Sequence, residues 1–87
     1  TNAQTLSAAI NLVTINSGSN SQTLGATSQT GLMRVVKNLG SISMTLTPNS
    51  GWTLDGPDSL PLAQLAFVVL VADNANSEWY IIATGTT

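Results

Sequence analysis

Between Leu65 and Val71 every residue is apolar, and Val and Phe fill four of the seven positions. Such a run is β-prone and far too short to span a bilayer, which takes roughly 20 residues. The wider stretch Leu60 to Ala72 is longer, but Pro61 and Gln64 interrupt it. Successive side chains of a strand point to opposite faces. Leu65, Phe67, Val69 and Val71 therefore share one face, and Ala66, Val68 and Leu70 the other. Both faces are apolar, whereas an antiparallel strand with one wet face would alternate. This strand requires cover twice, once from its own core and once from something else. In so small a chain a neighbouring subunit is the natural cover.

The rest of the chain also runs on a period of 2. From Ser41 to Thr47, Ile42, Met44 and Leu46 alternate strictly with Ser and Thr, which predicts a half-buried strand. Gly40 precedes it and Pro48-Asn49-Ser50-Gly51 follows it, both turn signals. Gly31 to Leu39 predicts another strand, with Met33, Val35, Lys37 and Leu39 on one face and Leu32, Arg34, Val36 and Asn38 on the other. The short connection through Asn38 to Gly40 predicts that these two runs form a β-hairpin. Ala63–Ala72 and Trp79–Thr84 predict a second hairpin, turned by Asp73 to Ser77. Leu6 to Ile15 switches faces midway, as a β-bulge near Leu12 would cause. A helix also fits that spacing, and the β-branched ending favours the strand. Gln22–Leu24 and Trp52–Leu54 read as short strands, the latter breaking at the turn sequence Asp55-Gly56-Pro57-Asp58. The expectation is one all-β domain over 1–87: a small antiparallel β-sandwich or jelly-roll-like module of five to six or more short strands.

Composition narrows the function. The 87 residues include two cations and four carboxylates, for a net charge of −2, with no His and no Cys. That removes imidazole and thiol chemistry and leaves no convincing metal or cofactor site, so none is expected. Two cations cannot track a nucleic-acid backbone, and no nucleic-acid or membrane partner is expected. Charged residues make up 7% of the chain, against roughly 25% in an ordinary domain. Ser, Thr and Asn replace them, which suits permanent contact with other subunits. A chain this short has a thin stability margin. Without disulfides or metals, oligomerisation is the remaining compensation.

Candidate sites are few. Asp55 and Asp58 form a carboxylate pair, but in a sequence typical of a tight turn. Asp73, Asn74, Asn76 and Glu78 cluster oxygens without the spacing of a calcium loop. Trp52 and Trp79 suit either the ends of a β core or a ligand surface. Because neighbours alternate, only one of Trp79 and Tyr80 can face the core of a regular strand. Trp52, Asp55, Trp79 and Tyr80 are therefore the candidates for ligand or subunit contact, and no catalytic residue emerges. Arg34 and Lys37 fall on opposite faces, so one is expected to pair with a carboxylate across a subunit contact and the other to be solvated.

The order of these segments resembles a family. Gln22-Thr23-Leu24, Gly31 to Asn38 and Ile42 to Pro48 are followed by Gly51-Trp52-Thr53-Leu54, Phe67 to Val71 and Glu78-Trp79-Tyr80-Ile81-Ile82. Together they resemble small β-modules of bacteriophage and other viral surface proteins, such as head or tail fibres and capsid decoration proteins. The resemblance implies a homotrimer on a virion surface, in contact with capsid or fibre proteins, and no catalytic residues. The short length favours a decoration or head-fibre subunit. A receptor- or carbohydrate-binding knob of a tail fibre, using Trp52 and Asp55, is the alternative. Placed in the core by this reading, Val69→Asp is expected to leave the protein insoluble or unassembled.

Overall fold

The computed structural model describes residues 3–55 and 58–86. It is all-β, with no helix among the described residues. The strands are β1 (Gln4–Leu6), β2 (Ile10–Val13), β3 (Ser21–Leu24), β4 (Met33–Asn38), β5 (Met44–Thr47), β6 (Thr53–Leu54), β7 (Leu60–Leu62), β8 (Ala66–Asp73) and β9 (Glu78–Thr86). They form a four-stranded sheet, ordered β1-β3-β5-β7, and a five-stranded sheet, ordered β2-β4-β8-β9-β6.

Consecutive strands alternate between the two sheets until the end of the chain, where β8 and β9 form the single local hairpin among the described residues. The chain thus winds around its core as a flattened coil. Winding stacks successive turns in the same direction, so β1–β3, β3–β5 and β2–β4 pair parallel, as β6–β9 also does. The pairs β4–β8, β5–β7 and β8–β9 are antiparallel. Both sheets are therefore mixed and not purely antiparallel.

The predicted hairpin between Gly31–Leu39 and Ser41–Thr47 does not form. β4 and β5 lie in different sheets, and residues 39–43 carry the chain between them. That corner is fixed by contacts with the previous turn of the coil. Leu39 N–H donates to Val13 O at 2.7 Å, and Ser41 N–H to Asn16 Oδ1 at 3.0 Å. A Cβ on Gly40 would overlap the backbone of Ile15, so this close approach requires glycine. Leu6–Ile15 holds two strands, β1 and β2, in different sheets, and its change of face is a change of sheet. The bulge lies in β9 instead, where the register with β8 shifts between Val69 and Leu70. Strand β7 went unanticipated; its Pro61 sits on the outermost strand of its sheet, where a missing N–H does least harm. The turn predicted at Asp55 to Asp58 falls partly on 56–57, outside the described residues, although Asp55 has φ of 41°.

The core lies between the sheets. Leu24, Met44, Leu46 and Leu54 are fully buried with Val36, Val68, Leu70 and Trp79. Burying each large apolar side chain contributes about 1.5–3 kcal/mol. In β8 the inward set is Ala66, Val68, Leu70 and Ala72, leaving Phe67, Val69 and Val71 half-buried on the outside. Val69 is therefore not a core residue. Leu65 is not in the strand at all but in the preceding turn, with φ of 66°.

Candidate functional site

Strand β4 turns its polar face inward. Arg34 and Asn38 are buried beside Val36, whereas Met33 is exposed and Val35 half-buried on the opposite face. Burying an amide or a guanidinium is costly unless its polar atoms find partners. The coil supplies those partners at its corners, where carbonyls leave the sheet ladders. The Arg34 guanidinium donates from Nη1 to Ser7 O and, at 3.1 Å, to Ala8 O, with Nη2 at 3.4 Å from Gly25 O. Its Cζ also lies 5.6 Å from the centre of the Trp79 ring. Burial pushes its pKa down from the ordinary arginine value. Arg34 thus ties the β1–β2 corner to the chain just after β3, so it is neither solvated nor on the surface where a subunit contact would form. Lys37 projects on the other face, donating from Nζ to Leu65 O at 2.9 Å.

Neutral amides bind the remaining layers. Asn38 Nδ2 donates to Ile42 O at 2.8 Å and Leu62 O at 3.0 Å, while its Oδ1 accepts from Gly40 N–H. It links one sheet to the corner and edge of the other. Gln22 accepts from Gln4 N–H and donates to Asn20 Oδ1 at 2.7 Å. Asn11 Nδ2 donates to Ala8 O and Val35 O, across the β2–β4 pair. Apart from Arg34, a chain with 7% charged residues thus pairs its interior with uncharged donors and acceptors that cost less to bury than ions. Arg34 Nε and Asn20 Nδ2 are left without a hydrogen bond.

The four candidate contact residues separate. Trp79 is fully buried, and its Nε1–H donates to Asn49 Oδ1 at 2.9 Å. It is a core residue and is removed from the contact set. Trp52 is half-buried against it, with ring centres 5.5 Å apart and planes inclined at 42°. Asp55 is exposed, but its carboxylate turns onto β9, accepting from Ile81 N–H at 3.2 Å. Tyr80 is exposed, as alternation from a buried Trp79 requires, and its hydroxyl lies 3.4 Å from Asp73 Oδ2. Partial burial and the nearby charges of Glu78, Asp73 and Asp55 raise the Tyr80 pKa.

Asp73 is held below the usual carboxylate range, mainly by the Asn76 amide at 2.7 Å and also by Tyr80. A depressed carboxylate adds stability above its unfolded pKa of about 3.9, lost as pH falls through the lower folded value. With no His in the chain, melting temperature is expected to stay level between pH 5 and 8 and to fall only below about pH 4. Thermal melts across that range check this; a steep change near pH 6 would contradict it.

One face of the molecule gathers most of the exposed large apolar residues, and the strand pattern foreshadowed it only at β8. The outer face of the five-stranded sheet carries Ile10, Val35, Val69 and Ala83 in one cross-strand row and Leu12, Lys37, Phe67 and Gly85 in the next. Met33, Val71 and Tyr80 form a third. Ile10, Leu12 and Met33 are 65%, 62% and 51% exposed, and Ile82, the extra residue at the β9 bulge, is 61% exposed. Among the described residues no element packs over this face. The outer face of the other sheet is hydroxylated, with Thr5, Thr23 and Thr47 aligned across β1, β3 and β5. No group of three or more acidic residues among the described residues is placed to hold a metal ion. No protein-family profile matches the sequence, and no curated protein is significantly similar to it.

Proposed function

We propose that this chain is a non-enzymatic structural subunit of a virion surface, a capsid decoration or head-fibre protein that works by assembling into an oligomer, most plainly a homotrimer. The observation that carries the reading is the outer face of the five-stranded sheet. Its three central rows are apolar except for Lys37 and the Tyr80 hydroxyl, and it ends in a polar row of Asp73, Glu78 and Thr53. Large exposed apolar patches mark interaction surfaces. The interior supports the same reading, because the buried polar side chains, Arg34 and the amides, bond chiefly to backbone or to one another. They hold a rigid shape rather than face a substrate. The virion assignment rests on the resemblance of the strand order to viral surface modules.

The receptor- or carbohydrate-binding alternative is weakened by the same geometry. Trp79 is inside, Trp52 packs against it, and Asp55 is engaged with β9. Immunogold labelling with an antibody against the purified chain tests the proposal on the particle fraction of its source. Label on the surface of intact particles is the expected result. Label confined to the particle-free fraction would overturn it.

A further inference from the structure

We infer that the outer face of the five-stranded sheet is a self-association surface, on which the β2 edge of one copy lies over β9 of the next. The inference deepens the proposed function by assigning assembly to one face, and it rests on the assembly half of that reading. Three features of the face point to a second copy as its occupant.

The first is extent. Four strands, β2, β4, β8 and β9, spaced about 4.8 Å apart and four to five residues deep cover on the order of 300 Å² in projection. That is within the size range of the largest apolar patches of typical monomers, which are often functional. The patch does not stop at the sheet. Phe67 and Gly85 also line an open groove of about 370 Å³, whose other wall is Leu60 to Ala63. The groove extends the apolar surface beyond the four strands.

The second is shape. The two rows that reach β2 begin there in a large residue and end on β9 in a small one, Ile10 against Ala83 and Leu12 against Gly85, while the third row ends on β9 in Tyr80. A neighbour's Ile10 and Leu12 therefore meet small residues when laid over β9, and large ones when laid over β2. A face whose two halves complement each other is the requirement for a closed assembly of identical chains.

The third is charge. The cation on this face, Lys37, has its ammonium on Leu65 O and 5.7 Å from the Phe67 ring centre. Covering the three central rows therefore strands no unbonded cation, and the carboxylates of Asp73 and Glu78 lie in the end row, at the rim of the face. A single lysine in a chain of net charge −2 gives an anionic lipid surface little to attract.

The absence of cysteine makes a direct test available. Ile10 and Ala83 lie in one row three strand spacings apart, roughly 14 Å, beyond the ~7 Å limit for a disulfide. A bond between cysteines at these positions must therefore join two chains. The double variant Ile10→Cys, Ala83→Cys is expected to cross-link on mild oxidation into a ladder that ends at the mass of the native oligomer. Each single variant should stay uncross-linked. Sedimentation of the unaltered chain should give a multiple of 9.0 kDa at micromolar concentration. A 9.0 kDa species there overturns the inference. So does an oligomer that the double variant fails to cross-link, which would place the contact elsewhere. Neither result touches the virion assignment, because a monomer could still label particles.

Discussion

Leu46→Asp is expected to abolish folding, Val69→Asp to yield a folded but unassembled chain, and Thr45→Asp to change neither property. Leu46 is fully buried in β5, between Gln22 and Leu60 in register. A carboxylate there loses its hydration among apolar neighbours and gains no cation. The cost of several kcal/mol is comparable with the whole stability of a small domain, ~5–15 kcal/mol. Val69 sits at the centre of the outer sheet face, one position diagonal from Lys37 on the paired strand. An aspartate there keeps contact with water in the single chain and has a cation within reach, so the fold should survive. Laid against a neighbour, the same carboxylate would be desolvated, and association should fall by two or more orders of magnitude, at ~1.4 kcal/mol for each. Thr45 is exposed on the hydroxylated sheet and serves as the control. Circular dichroism and sedimentation on the three variants separate folding from assembly. A native-sized Val69→Asp oligomer would show that this face stays wet, and an unfolded Val69→Asp monomer would show that it belongs to the core.

Arg34→Met is expected to destabilise the chain by about 2–4 kcal/mol, a loss that Arg34→Lys recovers only in part. Methionine fills much of the volume and removes the burden of a buried charge. It also leaves the corner carbonyls without their donor, at about 1–3 kcal/mol for each acceptor fully orphaned. Ala8 O keeps a bond from Asn11 Nδ2, and Gly25 O is held only at 3.4 Å, so Ser7 O dominates the loss. The contact with Trp79 adds about 0.5–2 kcal/mol. Lysine restores charge but not the planar fork that reaches two corners together. In a domain of this size the Arg34→Met loss should lower the melting temperature by roughly 10–25 °C. A shift of only a degree or two would mean that the corners hold without the arginine.

Much of the local structure was legible in the sequence, because side-chain alternation is a local property. The alternation at Met44–Thr47 and the hairpin of β8 and β9 could be read directly, as could the rule that only one of Trp79 and Tyr80 faces the core, though not which. Strand partners were not legible. In the parallel pairs of the coil, Gln4 meets Gln22 and Ile10 meets Val35, so partners are 18 and 25 residues apart and no turn sequence marks them. Asn38 illustrates the limit: beside Gly40 it reads as turn chemistry, and its burial follows from the distant Leu62 carbonyl. Arg34 misled for the same reason, since its partners are corner carbonyls that exist only once the coil is wound. The candidate site was legible as a doubly apolar β8. The rest of the face comes from β2, β4 and β9, which only the winding brings beside it.

The coiled path also bears on how such a chain can change in length. In a meander, an inserted strand reverses the direction of everything after it. Here one circuit from β1 through β2 returns the chain to the same sheet in the same direction after 18 residues, and the next from β3 to β5 after 24. A duplicated circuit would therefore slot in as another layer about 4.8 Å thick and leave the later pairings in register. The uneven lengths of the existing circuits show where slack is absorbed, at the corners and not in the strands. A family built on this path can grow taller by whole layers, each widening the apolar and hydroxylated faces together.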